Sequence, residues 1–130
     1  FEIRAASSQY SFKSALNGRD ITLIRGSSPQ HAKVSIFEGM IDFLSLVVMI
    51  NTRQLSGDAI IMHSLSSFRR TVEVIHREGY KQINSFLDND APGRKATEDF
   101  KTEFPGLVTC QSEMYENFKD LNAALVANRV

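Results

Sequence analysis

Four carboxylates stand out by what surrounds them: Glu38, Asp42, Asp88 and Asp90. Glu38 directly follows a β-rich apolar run, Ala32 to Phe37, and Asp42 lies one helical turn further on. Asp88 and Asp90 are the first and third residues after a second such run, Gln82 to Leu87. Carboxylates gathered at one sheet edge repel one another unless a cation lies among them. Mg²⁺ favours hard oxygen ligands and bridges carboxylates to substrate phosphates, and Mn²⁺ suits the same donors. An ion held there can polarise a phosphate, orient a nucleophile or stabilise a leaving oxygen. Phosphoryl chemistry is therefore the expectation, with Gly39 keeping the strand-to-helix turn tight and leaving room for a phosphate. Acidic residues before a helix also serve as ordinary caps. Asp88 or Asp90 ahead of Pro92 suits that plainer role as well.

The elements that must position these groups alternate from residue 32 onward. After Ala32 to Phe37 comes an apolar helix, Met40 to Ile50, then a strand, Ala59 to His63. Ser64 to Ser67 offer N-cap hydroxyls to a helix with Phe68, Val72 and Ile75 on one face, stopped by Gly79. The strand Gln82 to Leu87 leads into Asp88-Asn89-Asp90. Pro92 opens a helix striped by Ala96, Phe100 and Phe104, and Pro105-Gly106 closes it. A strand, Leu107 to Cys110, and a last helix near Phe118 to Val126 complete the pattern. Apolar strands separated by helices predict an α/β fold, with about four parallel strands and helices on both faces. Residues 1–31 differ: Phe1 to Arg4 and Asp20 to Arg25 read as an N-terminal β-ribbon extension on the edge of the same domain, leaving 32–130 as the core.

In such a sheet, ligands bind beyond the carboxyl ends of the strands where strand order reverses. With a 2-1-3 order, the first and third strands are neighbours, and Glu38 converges with Asp88 and Asp90 in one cleft.

The bulk composition bounds the alternatives. A chain of 130 residues with 42% hydrophobic content suits one domain with a real core. A single cysteine, Cys110, excludes an internal disulfide and a cysteine-based zinc site, and fits a reducing, cytoplasmic setting. No apolar run reaches the ~20 residues of a membrane span. Basic and acidic residues balance at 15 each, whereas a self-sufficient DNA-binding domain is usually basic. Nucleic acid would be gripped weakly by this chain alone. The first residue is Phe1 rather than methionine, and the expectation is a processing or excision point within a longer protein.

Among other residues, Arg94 and Lys95 at a helix start are candidate contacts to a nucleotide or phosphate, or simply solvated. Arg69, Arg70, Arg77 and Lys81 read as an exposed polar face of the second helix. His63 lies near the site rim with no evident partner. No P-loop or dinucleotide-binding glycine string occurs.

The stretch Ile36-Phe37-Glu38-Gly39-Met40-Ile41-Asp42 resembles the glutamate motif of the TOPRIM family, the domain shared by bacterial primases and topoisomerases. Phe86-Leu87-Asp88-Asn89-Asp90-Ala91-Pro92-Gly93-Arg94-Lys95-Ala96 is similar to the primase form of its Asp-x-Asp motif. Phe118-Lys119-Asp120-Leu121-Asn122 resembles the place of a further acidic pair, departing from it at the neutral Asn122. The similarity runs over roughly residues 32 to 126 and implies a TOPRIM (Rossmann-like) core. It is closest to the compact domain of primase-like proteins on plasmids and other mobile elements, where a zinc-finger segment precedes it.

The resemblance implies roles. Glu38 would handle a proton at the reacting hydroxyl, Asp88 and Asp90 would hold the metal, and Asp42 would support them. Asp120 is the weakest candidate. It also implies partners: a single-stranded DNA template, nucleoside triphosphates, zinc-finger and basic segments of the full-length chain, and a helicase. The expected function is the Mg²⁺-dependent core of a DNA primase-like nucleotidyltransferase. TOPRIM-type DNA cleavage, as in nucleases and topoisomerases, is the alternative, and a non-catalytic interaction module is a third reading.

Overall fold

A computed structural model of the chain describes residues 12–14, 20–28, 30–50 and 55–128. Six strands form one sheet: β1 (Phe12–Ser14), β2 (Thr22–Ile24), β3 (Lys33–Phe37), β4 (Asp58–Ile61), β5 (Gln82–Phe86) and β6 (Val108–Cys110). Four helices complete the described fold: α1 (Met40–Met49), α2 (Phe68–Glu78), α3 (Ala91–Glu103) and α4 (Leu121–Asn128). The sheet order is β1-β2-β4-β3-β5-β6. β4, β3, β5 and β6 run parallel, and the β1–β2 ribbon joins antiparallel along β4. The expected α/β architecture and the 2-1-3 order of the first three parallel strands are both present. The ribbon differs in detail. β2 falls within Asp20 to Arg25, and its partner is Phe12–Ser14. The strand expected at Phe1 to Arg4 lies outside the described residues.

Alternation along the strands divides the core into two layers. Val34, Ile36, Ile60 and Ile83 pack with Val72 and Ile75 of α2 and Phe100 of α3. Phe37, Ile61 and Phe86 face the other way, onto Phe43 and Val47 of α1 and Leu121 and Ala124 of α4. Phe37 stacks on Phe86 at 5.1 Å and meets Phe43 edge-on at 5.6 Å. This aromatic wedge lies directly beneath the carboxyl ends of β3 and β5, so it sets the floor on which Glu38 and Asp88 stand.

The helix ends follow local chemistry. Gly79 ends α2 in the left-handed region (φ 70), where glycine carries no Cβ penalty. A 3₁₀ turn, Leu65–Ser67, precedes α2, and Ser64 accepts from Ser66 N there, so the serines cap the turn rather than the helix itself. α4 begins at Leu121, three residues later than the apolar pattern suggests. The intervening segment is a second 3₁₀ turn, Ser112–Tyr115, and a loop.

At the opposite end of the sheet, the ribbon is held by Asp58, which is wholly buried. It accepts from Gly26 N (2.8 Å), His31 Nδ1 (2.9 Å), Arg25 Nη1 (2.9 Å) and Tyr80 Oη (2.6 Å). Burial alone would raise its carboxyl, but these donors together hold it below the ordinary carboxylate range. Arg25 also bonds Glu78 at 2.6 Å, so α2, β2 and β4 share one ionic staple.

Candidate metal centre

The parallel order brings the carboxyl ends of β3 and β5 side by side, and the acidic residues meet there. Glu38 is the first residue after β3, and its Oε2 accepts from Asp88 N at 2.9 Å. Asp42, on the first turn of α1, is 4% exposed, and its Oδ1 accepts from Asn122 N at 3.2 Å. Asp88 is half-buried, and its Oδ1 is buried with no hydrogen-bond partner among the described residues. Asp42, Asp88 and Asp120 each present one oxygen, and the three atoms lie within 4.8 Å of one another.

Electrostatics follow from that crowding. Burial first, then the charge and hydrogen bond of Glu38 and the charges of Asp120 and Asp90, push the Asp88 carboxyl up to about 7. Burial and the Asp120 charge push Asp42 up to about 6, against the pull of Asn122 N and Lys119. Three hard oxygen donors, together with a buried Asp88 Oδ1 that has no hydrogen-bond partner among the described residues, are what a small divalent cation satisfies. The residues present therefore fit Mg²⁺ or Mn²⁺.

The sequence-derived candidates divide in space. Glu38 and Asp42 each meet Asp88. Asp90 is not in the three-oxygen group: its Oδ1 accepts from Gly93 N at 2.8 Å as the N-cap of α3. Asp120, the weakest candidate in the sequence, joins Asp42 and Asp88 instead, while its Oδ1 also accepts from Ala123 N at 2.8 Å at the start of α4. Both aspartates are thus caps, but only Asp120 belongs to the three-oxygen group. Asn122, the neutral residue of the late motif, serves through its backbone N–H to Asp42, and its side chain accepts from Ser45 Oγ at 3.3 Å.

Gly39 stands beside Glu38 in ordinary extended backbone (φ −128). No tight turn demands glycine there, and an added Cβ would meet nothing within 4 Å. The open space beside it is what the position contributes. Gly93 is the opposite case: an added Cβ would lie 2.1 Å from Asp88 O. Glycine there lets α3 press against the Asp88 turn. Arg94 and Lys95 are exposed on the first turns of α3. Lys95 bonds Asp99 at 2.9 Å, whereas Arg94 makes no ion pair among the described residues.

Two residues gained roles that sequence reasoning had not given them. His63 does have a partner: Nε2 lies 2.7 Å from Thr22 Oγ1 of the ribbon. Its backbone sits in the left-handed region (φ 67), and its N–H donates to Glu38 O at 2.7 Å, fixing the residue that carries the glutamate. Asn89, the middle residue of Asp88-Asn89-Asp90, ties down the 115–119 segment through its side chain and its backbone N–H. The basic residues around α2 are paired on the surface, Arg69 with Glu103 and Arg70 with Asp20, as an exposed polar face would be.

A mixed sheet of this order, with acidic residues at the ends of its two central parallel strands, defines the class. A family model described as Toprim-like matches residues 35–125, and the chain belongs to that family. None of the curated proteins compared matches the chain. Among solved structures, it is similar to the primase fragment of the bacteriophage T7 primase-helicase protein, at 20% identity and a TM-score of 0.61. That alignment covers 92% of this chain and 58% of the other, so this chain spans little more than half the length of that fragment. It is also similar, at 19% identity and a TM-score of 0.62, to a chain of the bacteriophage T7 lagging-strand DNA polymerase assembly with primase domains of two gp4 subunits bound to an RNA/DNA hybrid and dTTP. There the coverage is 95% of this chain and 79% of that one. At these identities the likeness is one of fold.

Proposed function

We propose that this chain is the Mg²⁺-dependent core of a primase-type nucleotidyltransferase, extending primers on a single-stranded DNA template with nucleoside triphosphates. The observation that carries this reading is the meeting of one oxygen each from Asp42, Asp88 and Asp120 within 4.8 Å of one another, beside Glu38, with Asp88 Oδ1 buried and without a hydrogen-bond partner among the described residues. The family membership and the fold shared with a primase fragment support it.

In this reading Asp42, Asp88 and Asp120 hold the ion, and Asp90 adds negative charge from the cap of α3. When bound, the ion supplies charge neutralisation and alignment for the substrate phosphates. Glu38 takes the proton of the attacking hydroxyl as the new P–O bond forms and pyrophosphate leaves. Its Oε2 is held by Asp88 N, which orients the carboxylate for that transfer. Gly39 offers room beside Glu38 for a phosphate, and Arg94 and Lys95, exposed on the first turns of α3, would contact phosphate oxygens.

The neutral net charge argues that template grip comes from elsewhere. Zinc-finger and basic segments of a longer chain, and a helicase partner, would supply it, as the mobile-element reading implies. In this reading residues 1–31 are an extension on a core of 32–130, and the protein works in the cytoplasm. Among the described residues no helix is long and apolar enough to cross a membrane.

The test incubates the full-length protein with labelled single-stranded DNA, nucleoside triphosphates and Mg²⁺. Template-dependent extension is expected, and its loss in Glu38→Gln with metal binding retained. Cutting of the strand without extension would overturn the proposal in favour of a nuclease. Full activity in Glu38→Gln would favour an interaction module whose parent is active elsewhere.

A further inference from the structure

Asp120 reaches the carboxylate group from a segment that is remote in sequence and has little regular structure of its own. Between the 3₁₀ turn Ser112–Tyr115 and the start of α4, residues 116–120 form no strand and pair with none. Something must set where Asp120 stands. The start of α4 fixes one side, through Ala123 N and the buried Leu121, and the turn after β5 fixes the other. Asn89 Nδ2 lies 3.2 Å from Tyr115 O, 3.2 Å from Glu116 O and 3.3 Å from Phe118 O. Three carbonyls can only accept, so the amide nitrogen must face them. Asn89 N donates to Lys119 O, and Tyr115 Oη donates to Leu87 O at 2.7 Å. Leu87 and Asn89, on either side of Asp88, thus make five hydrogen bonds to the segment that ends in Asp120.

We infer that Asn89 is a positioning residue for the metal centre: its side chain clamps residues 115–118 to the Asp88 turn and thereby places the Asp120 carboxylate against Asp42 and Asp88. The inference rests on the metal reading above and adds a determinant to it. Asn89 does not touch the ion. It acts through Asp120, much as outer-shell partners orient metal ligands. The residue type matters, because aspartate would aim an acceptor at three carbonyls, and alanine would leave the segment tied only by backbone and by Tyr115.

The experiment measures Mn²⁺ affinity by electron paramagnetic resonance for the wild type, Asn89→Ala, Asp120→Asn and the double variant, with melting followed by circular dichroism. Asn89→Ala is expected to weaken Mn²⁺ binding about tenfold, in the range seen for outer-shell substitutions. In the Asp120→Asn background the same change should cost almost nothing in affinity, because the residue it acts through is already neutral. A purely structural role would instead lower the melting temperature in both backgrounds and leave affinity where it was. If Asn89→Ala fails to fold, Asn89→Ser, which keeps one donor, replaces it, and a smaller loss that again vanishes beside Asp120→Asn is expected. Unchanged affinity in Asn89→Ala, or equal losses in both backgrounds, would overturn the inference alone. Absence of Mn²⁺ binding by the wild type would overturn the metal reading beneath it.

Discussion

Replacing Asp88 by asparagine should stabilise the metal-free protein at pH 8 while abolishing its response to Mg²⁺. Asp88 carries a carboxyl pushed up to about 7, from an ordinary 3.8, by burial and by Glu38, Asp120 and Asp90. A carboxyl whose folded value is raised binds its proton more tightly in the native state. Stability is therefore full below pH ~4, declines as pH rises through the interval, and reaches its low plateau above about 7. Taken alone, a rise from 3.8 to about 7 corresponds to ~4 kcal/mol. Asp88 is only half-buried and shares its repulsion with Glu38, Asp120 and Asp90, so solvent screening leaves about 1–2 kcal/mol. For a chain of this size that is roughly 3–8 °C in melting temperature. The assay is thermal unfolding by circular dichroism at pH 5 and pH 8, with and without Mg²⁺. Asp88→Asn should melt several degrees above wild type at pH 8 without metal, and the gap should shrink at pH 5. Added Mg²⁺ should raise wild type alone. An Asp88→Asn variant destabilised equally at both pH values would refute the electrostatic reasoning.

Three further outcomes follow from the same geometry. Gly93→Ala should lose at least about 1–3 kcal/mol in urea unfolding, because its Cβ would sit 2.1 Å from Asp88 O and α3 must back away. Gly39→Ala meets nothing within 4 Å, so unfolding should be unchanged; a raised KM for nucleotide in the full-length protein would register the phosphate space, and unaltered kinetics would remove Gly39 from the site. Mn²⁺ affinity, measured by calorimetry, should climb with pH between about 5 and 8, since ions displace protons from Asp42 near 6 and Asp88 near 7. A flat profile would contradict those shifted carboxyls.

Much of the fold was legible because it is written locally. Apolar β-branched runs marked the parallel strands, and Gly79, Pro92 and Pro105-Gly106 marked helix ends. Glu38 and Asp88 were legible for the same reason: each follows a recognisable strand, and strand ends are where such sheets gather ligands. Asp120 was legible only through the resemblance of its motif. No regular element announces its docking, which draws on hydrogen bonds from Asn89 and Tyr115 across more than twenty residues of chain as well as on the start of α4. Asp90 shows the converse, since its spacing from Asp88 suggested a shared ion while local geometry uses one oxygen as a helix cap. The Asp58 staple was also missed. An aspartate opening a β-strand beside apolar residues was the available signal, because a charge there must be buried with its partners. His63 gave no warning of a left-handed backbone that most non-glycine residues avoid.

The central claim is that Asp42, Asp88 and Asp120 together hold the ion. An anomalous difference map from crystals grown with Mn²⁺ tests it most directly. One strong peak is expected, bonded to an oxygen of each of these three aspartates, with Asp90 still capping α3. A peak shared by Asp88 and Asp90 with Asp120 turned away, or no peak among these carboxylates, would contradict it.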